Sequence, residues 1–88
     1  MTPSPNLAQV GLRPGEKVRF RRLDRSRWQT GTVRRRERDG SIGITDTNGA
    51  ARAIPMHLVQ VRCDGPRGAA HWEPLLDRAT RTEQLSLL

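Results

Sequence analysis

Apolar and polar residues alternate along this chain in short stretches, and turn-forming residues separate the stretches. Residues 17–23 place Val18 and Phe20 on one face and Arg19 and Arg21 on the other, the period-two pattern of a half-buried strand. Residues 24–27 form a polar loop. Residues 28–36 carry Trp28 and Val33 through Gly31, a glycine expected to mark a bulge or tight bend. Asp39-Gly40 is a strong hairpin signal, after which residues 41–45 turn Ile42 and Ile44 inward. Asn48-Gly49 is a second such signal and leads into a strand over residues 51–54. Residues 55–58 are too few for more than one 3₁₀ turn, with Pro55 suited to its first position. Val59, Val61 and Cys63 share one face of a fifth strand. The pattern predicts a core of Val18, Phe20, Val33, Ile42, Ile44, Ile54, Val59 and Val61. Residues 1–12, with Pro3, Pro5 and Gly11 and no periodicity, read as a disordered arm. The expected plan is that arm, a β domain over residues 13–63, a tail over 64–83 and a terminal peptide over 84–88.

Five short strands with tight turns describe an all-β fold, a small and strongly bent barrel. The run Trp28-Gln29-Thr30-Gly31-Thr32-Val33, the Asp39-Gly40 turn, and Ile44-Thr45-Asp46 with Asn48-Gly49 resemble Tudor-type SH3-like barrels. The stretch Ile54-Pro55-Met56-His57-Leu58-Val59 similarly resembles the 3₁₀ turn before the last strand of SH3-like domains. The resemblance covers roughly residues 14–63 and implies a five-stranded barrel. By family it also implies an aromatic cage for a methylated Lys or Arg, and such a cage needs several aromatic faces. This chain offers only Phe20, Trp28 and Trp72, and Phe20 alternates as a core residue. A methyl-reading role is not expected, and neither is a groove for proline-rich peptides, which is also aromatic-lined.

Composition narrows the function. Eighty-eight residues, 34% of them hydrophobic, make one small domain without room for a large catalytic cleft. No stretch approaches the roughly 18 apolar residues of a membrane helix, and residues 1–10 lack the pattern of a signal peptide. A cytoplasmic protein of bacterial type, with no membrane contact, is the expectation. The single Cys63 excludes an internal disulfide, and with only His57 and His71 beside it no zinc site is expected. No Ser or Cys stands in a nucleophile motif. The expectation is therefore a non-enzymatic chain with neither cofactor nor small-molecule substrate.

The net charge is +7, from 16 basic and 9 acidic residues, which favours a polyanionic partner. Arginine supplies all but one of the basic residues, a skew that a GC-rich genome also produces. The distribution says more: residues 1–29 carry a net +5, residues 30–63 a net +3 and residues 64–88 a net −1. If the first two strands pair, Arg19, Arg21, Arg34 and Arg36 make one outward basic face. That face could grip DNA phosphates with Trp28 stacking on a base. A merely solvated charge face, with Trp28 folded into the core, is the open alternative.

The tail differs in kind. Trp72 is expected to dock back over an open end of the barrel. Residues 74–82 carry the pattern of one or two helical turns, with Leu75, Leu76 and Ala79 on one face. The terminal peptide Gln84-Leu85-Ser86-Leu87-Leu88 resembles the bacterial sliding-clamp-binding motif, a Gln-Leu-Ser/Asp-Leu-Phe linear peptide. Gln84, Leu85, Ser86 and Leu87 match, and Leu88 stands where the family prefers Phe. The resemblance implies a non-catalytic adaptor of DNA replication or repair, held on the sliding clamp by this peptide while the basic domain contacts DNA or a second protein. A sequence-independent nucleic-acid-binding or transcription-associated protein, and a protein-interaction module without nucleic acid, are the alternatives. Five residues beyond Glu83 are too few to make a helix of their own, so residues 84–88 are expected to be disordered when free.

Overall fold

The computed structural model describes residues 5–86. Its centre is a six-stranded antiparallel sheet of order β4-β3-β2-β1-β5-β6. The strands are β1 (Lys17–Phe20), β2 (Gln29–Arg36), β3 (Ile42–Asp46), β4 (Ala51–Ile54), β5 (Val59–Asp64) and β6 (Ala70–Pro74), followed by a helix, α1 (Leu75–Ser86). The architecture is mostly β, as the alternation predicts, but two features of the expected barrel are corrected. There are six strands rather than five, and the sheet is open, with β4 and β6 as its edges.

The sheet's inner face is the core. All eight residues picked out by period-two alternation are buried, and Val18, Phe20, Ile42, Ile44 and Val61 expose nothing. Leu7, Val10, Leu12, Leu58 and Leu75 complete the cluster. Leu75 comes from the helical pattern of residues 74–82; the other four come from segments without period, and three of them lie in the arm expected to be disordered. There Leu7–Val10 forms a 3₁₀ turn with an Asn6–Gln9 capping box. Its C-cap, Gly11, adopts φ 75°, and a Cβ there would meet Thr82 Oγ1 of α1 at 2.4 Å. Glycine thus serves both the left-handed turn and the close approach of the helix. Residues 1–4 of the predicted arm lie outside the described residues.

Gly31 is not the bulge. It pairs in register with Val18 and Asp46, and a Cβ there would lie 2.6 Å from Ile44 Cγ2 and 2.7 Å from the Thr45 carbonyl oxygen. It is glycine because the neighbouring strand leaves no space for a side chain. The irregularity falls two residues later, between Val33 and Arg35. Val33 pairs with Ile44 and Arg35 with Gly43, so Arg34 is the extra residue. Beyond it the alternation changes phase, and Arg36 stands opposite Ile42 on the core side of the sheet.

The two hairpin signals sit at turns, where Gly40 and Gly49 both take positive φ. Asp46 Oδ1 accepts from the backbone N–H groups of Asn48 and Ala50, each at 2.9 Å, and Oδ2 accepts from Arg52 Nε at 3.0 Å. These donors, led by the Ala50 N–H, hold its carboxyl below the usual range. The 3₁₀ turn after β4 is Met56–Leu58, with Pro55 one position earlier than expected, at its N-cap.

Helix α1 covers the core behind β5 and β6. Arg78 reaches Glu16 at 2.8 Å and Glu73 at 3.5 Å, and Arg81 also pairs with Glu73. Burial pushes the Cys63 thiol up, with Glu73 beside it acting in the same direction. The thiol therefore stays protonated at neutral pH and donates to Glu73 Oε2 at 3.1 Å. Hydrogen bonding from Arg81 outweighs partial burial and holds the Glu73 carboxyl below its ordinary value. Such a group contributes stability above the ordinary carboxylate pKa and loses it as pH falls through the lower, folded value. Glu73→Gln should therefore reduce stability at neutral pH and weaken its dependence on pH in the acid range. Urea denaturation at pH 7 and at pH 3 checks this, and parallel losses at both pH values would refute it.

Candidate nucleic-acid interface

On the outer face of the sheet, away from the core, β1 presents Lys17 and Arg19, with Arg21 one step beyond its end. Gln60 of β5 is the cross-strand partner of Arg19, and Arg62 of β5 is the partner of Trp72 on β6. Trp28 stands just before β2, where the pairing Phe20↔Gln29, continued one step, brings it beside Arg21.

These neighbours form a stack. Arg19 donates through Nε to Gln60 Oε1 at 2.6 Å. Its guanidinium carbon lies 4.6 Å from the centroid of the Trp28 ring and 5.0 Å from that of Trp72. Arg21 lies against Trp28 as well, at 4.5 Å. Cation–π contacts of this kind are worth about 0.5–2 kcal/mol each, more as water is excluded. They fix the orientation of two long side chains that would otherwise sample many rotamers. Among the described residues no carboxylate forms an ion pair with Arg19 or Arg21. The Nε of Arg21 is buried without a hydrogen-bond partner. Arg22, Arg25 and Arg27 are exposed in the adjoining loop. The result is a positively charged surface with two indoles set into it.

The structure thus brings together Arg19, Arg21 and Trp28 of the predicted site and separates Arg34 and Arg36 from them. The bulge is the reason. Arg36, turned to the core side, donates through Nη1 to Gln9 Oε1 at 2.9 Å and lies with Nη2 3.8 Å from Met56 Sδ. Arg34 and Arg36 instead line a groove of about 580 Å³ floored by Leu7 and Leu12. Trp28 is half-buried on the outer face and does not belong to the core.

Sequence reasoning missed Gln60, Arg62 and Trp72 as members of this face. Trp72 was expected over a barrel end, but β6 adds to the edge of β5 and turns the ring outward to Arg19. The available signal was the turn-rich run Gly65-Pro66-Arg67-Gly68, which joins two paired strands.

The tail also differs from expectation. Gln84, Leu85 and Ser86 belong to the last turn of α1 rather than to a disordered end. Gln84 is exposed, and Leu85 is 70% exposed. Leu87 and Leu88 lie outside the described residues.

The chain matches no protein-family model, no curated protein and no solved structure. Among the described residues no cluster of three or more His, Cys, Asp or Glu is placed to hold a metal ion. No described helix is long and apolar enough to cross a membrane.

Proposed function

We propose that this protein is a non-catalytic nucleic-acid-binding domain that contacts DNA through the outer face of β1, β5 and β6. The observation that carries the reading is the Trp72–Arg19–Trp28–Arg21 stack, in which arginines without acidic partners alternate with aromatic rings. Arginine is suited to phosphate oxygens, and indoles to base faces or sugar edges. Structural ion pairing would have placed acidic side chains against Arg19 and Arg21, as it does against Arg78. Contacts of this kind carry no base-edge code, so binding is sequence-independent. The Tudor-type, SH3-like reading is kept for the first five strands, supported by the β1–β4 meander and by the 3₁₀ turn that returns β5 to β1.

Salt dependence tests the function. Binding to a short DNA, followed by fluorescence anisotropy from 50 to 300 mM salt, should weaken steeply, as released counterions require. Arg19→Ala and Arg21→Ala should each flatten the log–log slope by about one unit, while Arg36→Ala should leave it unchanged. Absence of binding at the lowest salt overturns the proposal. An effect confined to Arg34 and Arg36 would move the site to the other face.

A second activity is supported by the exposure of Leu85 beside Gln84. A glutamine and a leucine offered to solvent at a helix end suit capture by a small polar and apolar pocket. Together with the motif resemblance, this supports an adaptor role in DNA replication or repair. The tail would recruit the domain to the bacterial sliding clamp, and the basic face would engage the DNA.

A further inference from the structure

The place of Arg19 between two indoles has a consequence for which nucleic acid is bound. Its guanidinium is a flat cation lying 4.6 and 5.0 Å from the two ring centroids. Stacked aromatic pairs keep centroids about 4.5–7 Å apart, so the guanidinium lies at stacking distance from each ring. The Arg19 side chain donates one hydrogen bond, to Gln60, and no carboxylate of the described residues forms an ion pair with it. Two ring faces and one hydrogen bond hold the side chain. Arginine is long enough to leave the slot and extend along the sheet surface, where Lys17, Arg21 and Arg62 supply further positive charge.

Resting on the nucleic-acid reading above, we infer that the Trp28–Trp72 slot takes one unpaired base of a single strand. Arg19 stands in for the base in the free protein and moves onto a phosphate in the complex. The exchange keeps both indole faces covered in either state, and it places a cation beside the phosphate that follows the stacked base. A duplex offers no such base, because its ring faces are already covered by neighbouring pairs. Opening one would add a cost that a single strand does not carry.

The chain has two tryptophans and no tyrosine, so its intrinsic fluorescence reports on this slot alone. Three probes of equal length separate the possibilities: an oligothymidine strand, an abasic strand with the same phosphates, and a duplex. At one fixed salt concentration the oligothymidine should bind roughly tenfold tighter than the abasic strand, as one stacked base implies. It should also quench the tryptophan emission, while the abasic strand leaves it nearly unchanged. Trp28→Ala or Trp72→Ala should remove the tenfold advantage and leave abasic affinity in place. Arg19→Ala should retain the advantage and lower the salt slope by about one unit. Equal affinity of the unmodified protein for the oligothymidine and abasic strands overturns the inference, as does tighter binding to the duplex. Both leave the broader nucleic-acid reading standing. Failure to bind any of the three overturns that reading and this inference together. The strand comparison on the unmodified protein decides the matter even if a tryptophan variant does not fold.

Discussion

Phe20→Ala should destabilise the domain by about 3–5 kcal/mol, the usual loss for a fully buried phenylalanine whose cavity does not collapse. Phe20 exposes nothing and lies on β1, with Gln29 of β2 and Val59 of β5 as its cross-strand partners. Its ring edge comes within 3.2 Å of the place where a Cβ on Gly31 would stand. Strands on both sides are therefore packed to this ring, and hydrogen-bonded ladders prevent them from closing the void. A chain of 88 residues has little to spare: at about 0.05–0.15 kcal/mol per residue, total stability is roughly 4–13 kcal/mol. The substitution should consume much of that, seen as a large drop in urea midpoint at unchanged slope. A variant that unfolds at the parent's midpoint would contradict the placement of Phe20 at the centre of the core.

The core of β1 to β5 was legible because burial on one face of a sheet enforces period two, and the turn residues punctuate it. Val18, Phe20, Ile42, Ile44 and Val61 follow directly from that rule. What was not legible has a common cause, contact between segments that carry no period of their own. Leu7, Val10 and Leu12 lie in a 3₁₀ turn and its continuation, where three or four residues give no repeat to read. Strand β6 contains Ala70, His71, Trp72, Glu73 and Pro74, a sequence without apolar alternation, and becomes a strand by pairing along β5. Its inward position is taken by Glu73, tolerated there because Arg78 and Arg81 both reach it. The candidate site was half legible for the same reason. Arg19, Arg21 and Trp28 are close in the β1–β2 hairpin and could be placed together from sequence. The second tryptophan arrives from the far edge of the sheet. A single extra residue at Arg34 then reversed the face assigned to Arg36, which strict alternation cannot foresee.

Removal of residues 84–88 should abolish binding to a bacterial sliding clamp while leaving DNA binding intact. In the free protein Gln84 and Leu85 are helical, so capture as an extended peptide must first unwind the end of α1. The cost is small, since the last four carbonyls of a helix lack intrahelical partners and the final turn frays. Leu85, 70% exposed, gives up little packing when it leaves. Ordering these residues on the clamp opposes binding, while burial of Leu87 and Leu88 favours it. The ordering cost keeps the expected affinity modest, around the micromolar range. Leu88→Phe should tighten it, because an aromatic ring buries more area in the same pocket. Gln84→Ala should weaken it by leaving polar groups of the clamp unpaired. Titration of purified clamp with the intact chain, the truncation after Glu83 and the two substitutions measures each effect. Identical isotherms for the intact and truncated chains would end the adaptor reading and leave residues 84–86 as the plain C-terminal turn of α1.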